Sequence, residues 1–275
     1  MESVFNLNAR SVLKFFLKVL FVIVLLNIAV LALEYYLKTY TNSTITGSHS
    51  FKLYVTGMFN LEGEKNVPTY FSTINLLISA LLLFTVSRYV KNSNRPLYFR
   101  QWRFLGFLFT WLAMDELFQL HELSINPMRS FLQLVLQKEN LGFLHFPWYI
   151  LYVLLMAGVG LYLARFVFSL PRRTFINFVV SGGIFLSGAV GMEMLGGYIS
   201  SNTDSDILGK LSTTMEETLE MLGIILFIYS LIRHLEDQKS LKNIVVNFAL
   251  AGKGTPKAVE PARTEVSEVK QAVSV

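Results

Sequence analysis

Apolar residues fall into six blocks separated by polar stretches: Val12–Leu37, Tyr70–Val90, Phe104–Leu123, Phe146–Leu170, Phe175–Ile199 and Thr213–Ile232. An α-helix rises 1.5 Å per residue, so about 20 mostly apolar residues cover the roughly 30 Å hydrocarbon core of a bilayer. The pattern therefore predicts an all-α fold, a polytopic membrane bundle of six transmembrane helices within residues 1–235. The first block has a basic flank (Arg10, Lys14, Lys18), but no small-residue cleavage site follows its apolar run Val19–Leu33. It reads as an uncleaved helix, not a signal peptide. Three longer connections, Lys38–Thr69, Ser124–His145 and Ser200–Ser212, alternate with short ones at Lys91–Arg103 and Pro171–Thr174. Within the second, Phe131–Leu136 reads as a short amphipathic segment. Residues 236–275 form a tail that loses apolar periodicity from about Gly252, which predicts disorder there. Asn42-Ser43-Thr44 matches a glycosylation sequon and reads as a plain polar loop.

Charge gives this pattern a direction. Of the 24 Lys and Arg, eighteen lie on the side of the chain termini and six on the other. The positive-inside rule then places both termini in the cytoplasm, for a multi-pass protein of the cell (inner) membrane. Only 16% of residues are charged, against roughly 25% in an ordinary soluble domain. The excess of +5 lies between apolar blocks, so it reports orientation and not a nucleic-acid partner. The partner implied is membrane lipid. The absence of cysteine excludes disulfide-stapled scaffolds, zinc ribbons and thiol enzymes.

The informative residues are acids that interrupt the spans. Span three has an uninterrupted apolar stretch of only Phe104–Met114, so it crosses only by carrying Asp115 and Glu116 near mid-depth and His121 and Glu122 near the outer surface. Span six, apolar from Met221 to Ile232, must carry Glu216, Glu217 and Glu220 in its outer third, and span five holds Glu193 towards its outer end. Spans three and five run outward and span six inward, yet every internal acid falls in the outer half. An ionised carboxylate at mid-bilayer costs about 2.5–3.5 kcal/mol on insertion scales, so acids at one depth should face each other, water or a cation. At about 100° per residue, Asp115, Gln119 and Glu122 share one face of span three. Gly183, Ser187 and Gly191 make a small-residue stripe suited to close helix contact, beside a stripe of Gly182, Ala189, Glu193 and Gly196. Spans three, five and six are thus expected to form the inner bundle, with Glu34 an interfacial residue of span one.

Carboxylates with one imidazole form a ligand set for Mn, Fe or Zn. Asp115, His121, Glu122, Glu193, Glu216 and Glu220 are the candidate metal ligands, and Glu116 and Glu217 the candidate catalytic bases for a metal-bound water. The depth of the site points to a lipid or lipid-linked substrate. The Glu-x-x-His pair of helical di-metal proteins is absent. Two other readings use the same acids: a proton- or cation-coupled transporter or channel, and a non-catalytic assembly subunit. The inner halves Phe104–Phe109, Phe175–Val180 and Ile224–Ile228 are apolar, which favours a one-sided cavity over a through-pore. Met114, Met192, Met194, Met215 and Met221 flank the acids; Cu(I) ligation is the sharper reading and core filling the plainer one. His49, His145 and His234 read as solvated or interfacial, and Trp148 as an interface anchor.

The segment Asp115-Glu-Leu-Phe-Gln-Leu-His-Glu122, with Glu193 and the stretch Glu216–Gly223 further on, resembles an uncharacterised bacterial multi-pass membrane protein family with an intramembrane Asp-Glu…His-Glu motif. The resemblance covers mainly Met114–Glu122 and Glu216–Gly223 and implies that these acids act together, with no assigned activity. Other membrane enzymes fit poorly. There are no histidine boxes and no HExxH, and Met221 stands where CAAX-type proteases with a Glu-Glu pair have Arg.

Overall fold

The computed structural model describes residues 8–40, 51–93, 96–203 and 205–238. The sequon, His49 and the tail beyond residue 238 lie outside the described residues. All regular structure in the described part is helical: α1 (Ala9–Tyr40), α2 (Phe51–Phe59), α3 (Val67–Lys91), α4 (Phe99–Phe118), α5 (Ile125–Leu136), α6 (Trp148–Phe168), α7 (Arg172–Leu186), α8 (Glu193–Asn202) and α9 (Asp206–Asp237). A π-helical segment, Ser187–Met192, joins α7 to α8 without a break.

Local chemistry sets several of these boundaries. Asn66 caps α3: its side chain accepts from the Thr69 N–H at 3.2 Å, and its amide donates to the Asn60 carbonyl at 2.6 Å. Pro68 occupies the first turn, where a missing N–H costs nothing. α4 stops at Gln119, whose left-handed backbone (φ 55°) closes the helix with an N–H bond to the Asp115 carbonyl. α5 has one apolar face with Phe131, Leu134 and Val135 exposed, as expected of a helix lying along a membrane surface. It extends the amphipathic segment expected at Phe131–Leu136 back to Ile125.

Five stretches are long and apolar enough to cross a membrane: Ala9–Leu37, Val67–Lys91, Trp148–Phe168, Arg172–Asn202 and Asp206–Asp237. α4 is not among them, although its 20 residues have the length, because Arg100, Arg103, Asp115 and Glu116 dilute its apolar character. The expected span Phe104–Leu123 is displaced towards the N-terminus, to Phe99–Phe118. Gln119 and Glu122 therefore do not share a helical face with Asp115, and His121 and Glu122 belong to the turn that follows.

The centre is α9, in which 61% of the most apolar stretch is buried, against 11% in α6. α1, α3, α7 and α8 pack around it, and α4 packs chiefly on α3. α4 reaches α9 through Phe109, stacked on Phe227 at 4.6 Å, and through Ala113, packed with Ile224. The expected inner bundle of spans three, five and six thus also includes the helices of spans one and two. The close approach between α9 and the span-five helix is not at Gly183 or Gly191, where an added Cβ would meet nothing within 4 Å. It is at Gly188, where a Cβ would lie 2.8 Å from the Glu216 carbonyl oxygen, and at Gly223, where it would lie 2.7 Å from the backbone of Phe185. The π segment explains the shift. It adds a residue to the turn, so the phase of every later position departs from that of a regular helix.

Candidate functional site

Asp115 is the best-held acid. It is buried at the end of α4, and the left-handed turn at Gln119 folds the chain back over it. One carboxylate oxygen accepts from the His121 backbone N–H at 2.9 Å and from the Tyr152 hydroxyl at 3.0 Å. The other lies 3.3 Å from His121 Nδ1. His121 packs its ring against Trp148 at 4.7 Å, and Trp148 stands edge-on to Tyr152 at 5.2 Å.

Trp148 links this group to the next. Its indole N–H donates to Glu193 Oε1 at 2.6 Å, so it binds an acid and is not merely an interface anchor. Glu193, the first residue after the π segment, is in turn a close neighbour of Glu216 of α9. On the far side, Glu116 lies beside Ser72 of α3 and within electrostatic reach of Glu217 and Glu220.

Five helices and one loop thus build a single layer. α4 supplies Asp115 and Glu116, α8 supplies Glu193, and α9 supplies Glu216, Glu217 and Glu220. Ser72 comes from α3, Trp148 and Tyr152 come from α6, and Glu64 comes from the loop before α3. Glu64 is exposed overall, but its carboxyl accepts from Thr69 Oγ1 at 3.2 Å and faces the layer. Desolvation there, then the charge of Glu122, raises its pKa above the ordinary carboxylate value.

Of the residues expected at the site, Asp115, His121, Glu193, Glu216, Glu217, Glu220 and Glu116 come together. Glu122 is exposed on the turn beyond α4, with Gln119 Nε2 3.5 Å from its carboxylate. Glu34 lies elsewhere, 2.9 Å from Lys210. Ser72, Tyr152, Trp148 and Glu64 were missed by the sequence reading. Trp148 and Tyr152 carried a usable signal: an i, i+4 aromatic pair with polar tips at the start of an apolar block. Met114 and Met215 face outward and Met221 is packed in the core with Leu20 and Ile225, which is the pattern of filler and not of copper ligation. Among the described residues no group of three or more His, Cys, Asp or Glu is placed to hold a metal ion. The acids are turned to each other and to Ser, Tyr and Trp donors.

The family whose model matches residues 17–235 is described as Domain of unknown function (DUF8692). The chain belongs to that family. The match takes in every member of the carboxyl layer and stops two residues before the end of α9. No curated protein and no solved structure matches the chain.

Proposed function

We propose that this chain is an integral membrane protein with six crossings and cytoplasmic termini, whose carboxyl layer is an acid–base site at outer-leaflet depth, acting on a lipid or lipid-linked molecule. The observation that supports it best is the run of contacts from Glu193, beside Glu216, through Trp148 to the His121–Asp115–Tyr152 group. In this reading the two neighbouring carboxyls keep one proton between them, so that a proton donor stands beside a carboxylate–imidazole acceptor within one site, the requirement for general acid–base chemistry. In this reading α4 crosses the membrane because its charges lie at its ends: Arg100 and Arg103 at the cytoplasmic end, Asp115 and Glu116 buried in the layer.

Mn, Fe or Zn as a cofactor finds no support in the arrangement of the acids among the described residues. A second reading, proton or cation movement, is favoured by one feature. Ser72, Asn75 and Ser79 make a buried polar stripe down α3 from the layer, and both amide atoms of Asn75 lack a hydrogen-bond partner among the described residues. The stripe ends at Leu83 and Val86, both fully buried, which is why transport ranks second.

Infrared spectroscopy of the purified protein in lipid vesicles tests the primary reading. A protonated-carboxyl band is expected at neutral pH, and Glu216→Gln should remove it while the chain stays folded. No such band in the wild type would overturn the reading. Elemental analysis of the same sample separates it from the metal alternative: about one equivalent or more of Mn, Fe or Zn, lost in Asp115→Asn with Glu216→Gln, would replace acid–base chemistry with metal chemistry. Proton flux into the vesicles would promote the transport reading.

A further inference from the structure

A cavity lies directly beneath the carboxyl layer. It has a volume of about 470 Å³ and is walled by α4, α6, α7 and α9. It exists because α6 stands off from its neighbours. α6 is fastened at its cytoplasmic end, where Phe166 packs edge-on to Trp102 at 4.9 Å, and at its outer end through Trp148 and Tyr152. Between these two fastenings it carries Gly160, and α7 opposite carries Gly182; a Cβ added at either would meet nothing within 4 Å. Two glycines facing open space keep a slot open that ordinary side chains would fill.

The position of the slot relative to the acids follows from helix periodicity. Leu112 lines it three residues before Asp115, Met156 four residues after Tyr152, and Gly223 three residues after Glu220. One turn is about 5.4 Å, so three separate helices place the outer end of the slot one turn below the layer. From Met156 to Phe168 it follows about 18 Å of α6. Its lining is apolar throughout except for Ser181, whose hydroxyl is already given to the Phe178 carbonyl. Apolar cavities of this kind stay dry and take apolar guests. For a slot between membrane-spanning helices the guest at hand is hydrocarbon.

We infer that this slot holds one acyl chain of an outer-leaflet lipid, entering sideways past α6, with the lipid's polar end presented to the carboxyl layer. This deepens the acid–base reading by naming its substrate class, and it rests on that reading only for what happens at the polar end. The volume lies within the roughly 300–1,000 Å³ of small-molecule sites. The length along α6 suits a chain and not a compact ligand.

The probe is a phospholipid with a photoactivatable diazirine midway along one acyl chain, incorporated with the full-length protein into phosphatidylethanolamine–phosphatidylglycerol vesicles. Crosslinks are mapped by peptide mass spectrometry. Labelling is expected to concentrate on Met156, Phe178 and Phe185 over Leu154 and Leu161, which face outward on the same helix. Gly160→Leu with Gly182→Leu should cut slot labelling about tenfold and leave Leu154 and Leu161 unchanged, which also reports an intact fold. Gly160→Ala with Gly182→Ala should give an intermediate loss. Even labelling around α6, labelling indifferent to both double variants, or crosslinks from the slot to a second copy of the chain would overturn the inference. Repeating the experiment in Asp115→Asn, Glu216→Gln separates the two readings. Labelling should persist there, because the acids act on the polar end and not on the chain.

Discussion

Asp115 is gripped from three directions: by the backbone of the turn it terminates, by an imidazole six residues on and by a tyrosine on another helix. That it would be drawn to other polar groups was legible in the sequence, because an acid inside an apolar run is costly without a partner. Its partners were not legible, because they depend on a left-handed residue, Gln119, that no periodicity announces. Glu64 was invisible for the converse reason: in a polar loop one more acid carries no signal. It gives a prediction with a definite sign. Its folded-state pKa is raised, so its contribution to stability is present at low pH and is lost as pH rises from the ordinary carboxylate value of 4.5 through the folded value. Glu64→Gln should therefore raise the thermal unfolding midpoint at pH 7.5 and leave it unchanged near pH 4. A midpoint that falls at pH 7.5 would show Glu64 held by favourable contacts instead.

Among the elements, long apolar helices were the readable part: each of the five spanning stretches overlaps an apolar block in the sequence. Phase within a helix was readable only where the helix is regular. The small-residue stripe expected at Gly183, Ser187 and Gly191 failed because the π segment begins at Ser187, and contact moves to Gly188. A methyl group at Gly188 has nowhere to go, with Glu216 O at 2.8 Å and Glu220 Cγ at 3.0 Å. Gly188→Ala should destabilise the protein by about 1–3 kcal/mol, the usual range for overpacking, measured as a lowered unfolding midpoint in detergent. Gly183→Ala, with open space around its Cβ, is the control and should change the midpoint little. Equal effects at the two positions would contradict the packing described here.

For the whole molecule, orientation is testable because the chain contains no cysteine, so any single cysteine introduced is the only one present. Lys65→Cys, in the loop before α3, should react with an impermeant maleimide added to intact cells, and Asn92→Cys, just after α3, only once the membrane is opened. The reverse pattern would invert the proposed topology. A different consequence follows from how the ends of the bundle are tied. Lys210 of α9 lies 2.9 Å from Glu34 of α1, and Asn27 of α1 donates to Thr214 of α9 at 2.9 Å, contacts that bridge 176 and 187 residues. Synthesis proceeds from the N-terminus, so α1 leaves the ribosome long before the helix it must meet. Asp115, Glu116 and Glu193 are likewise synthesised before any carboxyl of α9 exists. Among the described helices α9 is made last, so every nascent chain passes through an interval in which these acids exist without their α9 neighbours, the interval in which a chaperone or quality-control protease would meet it.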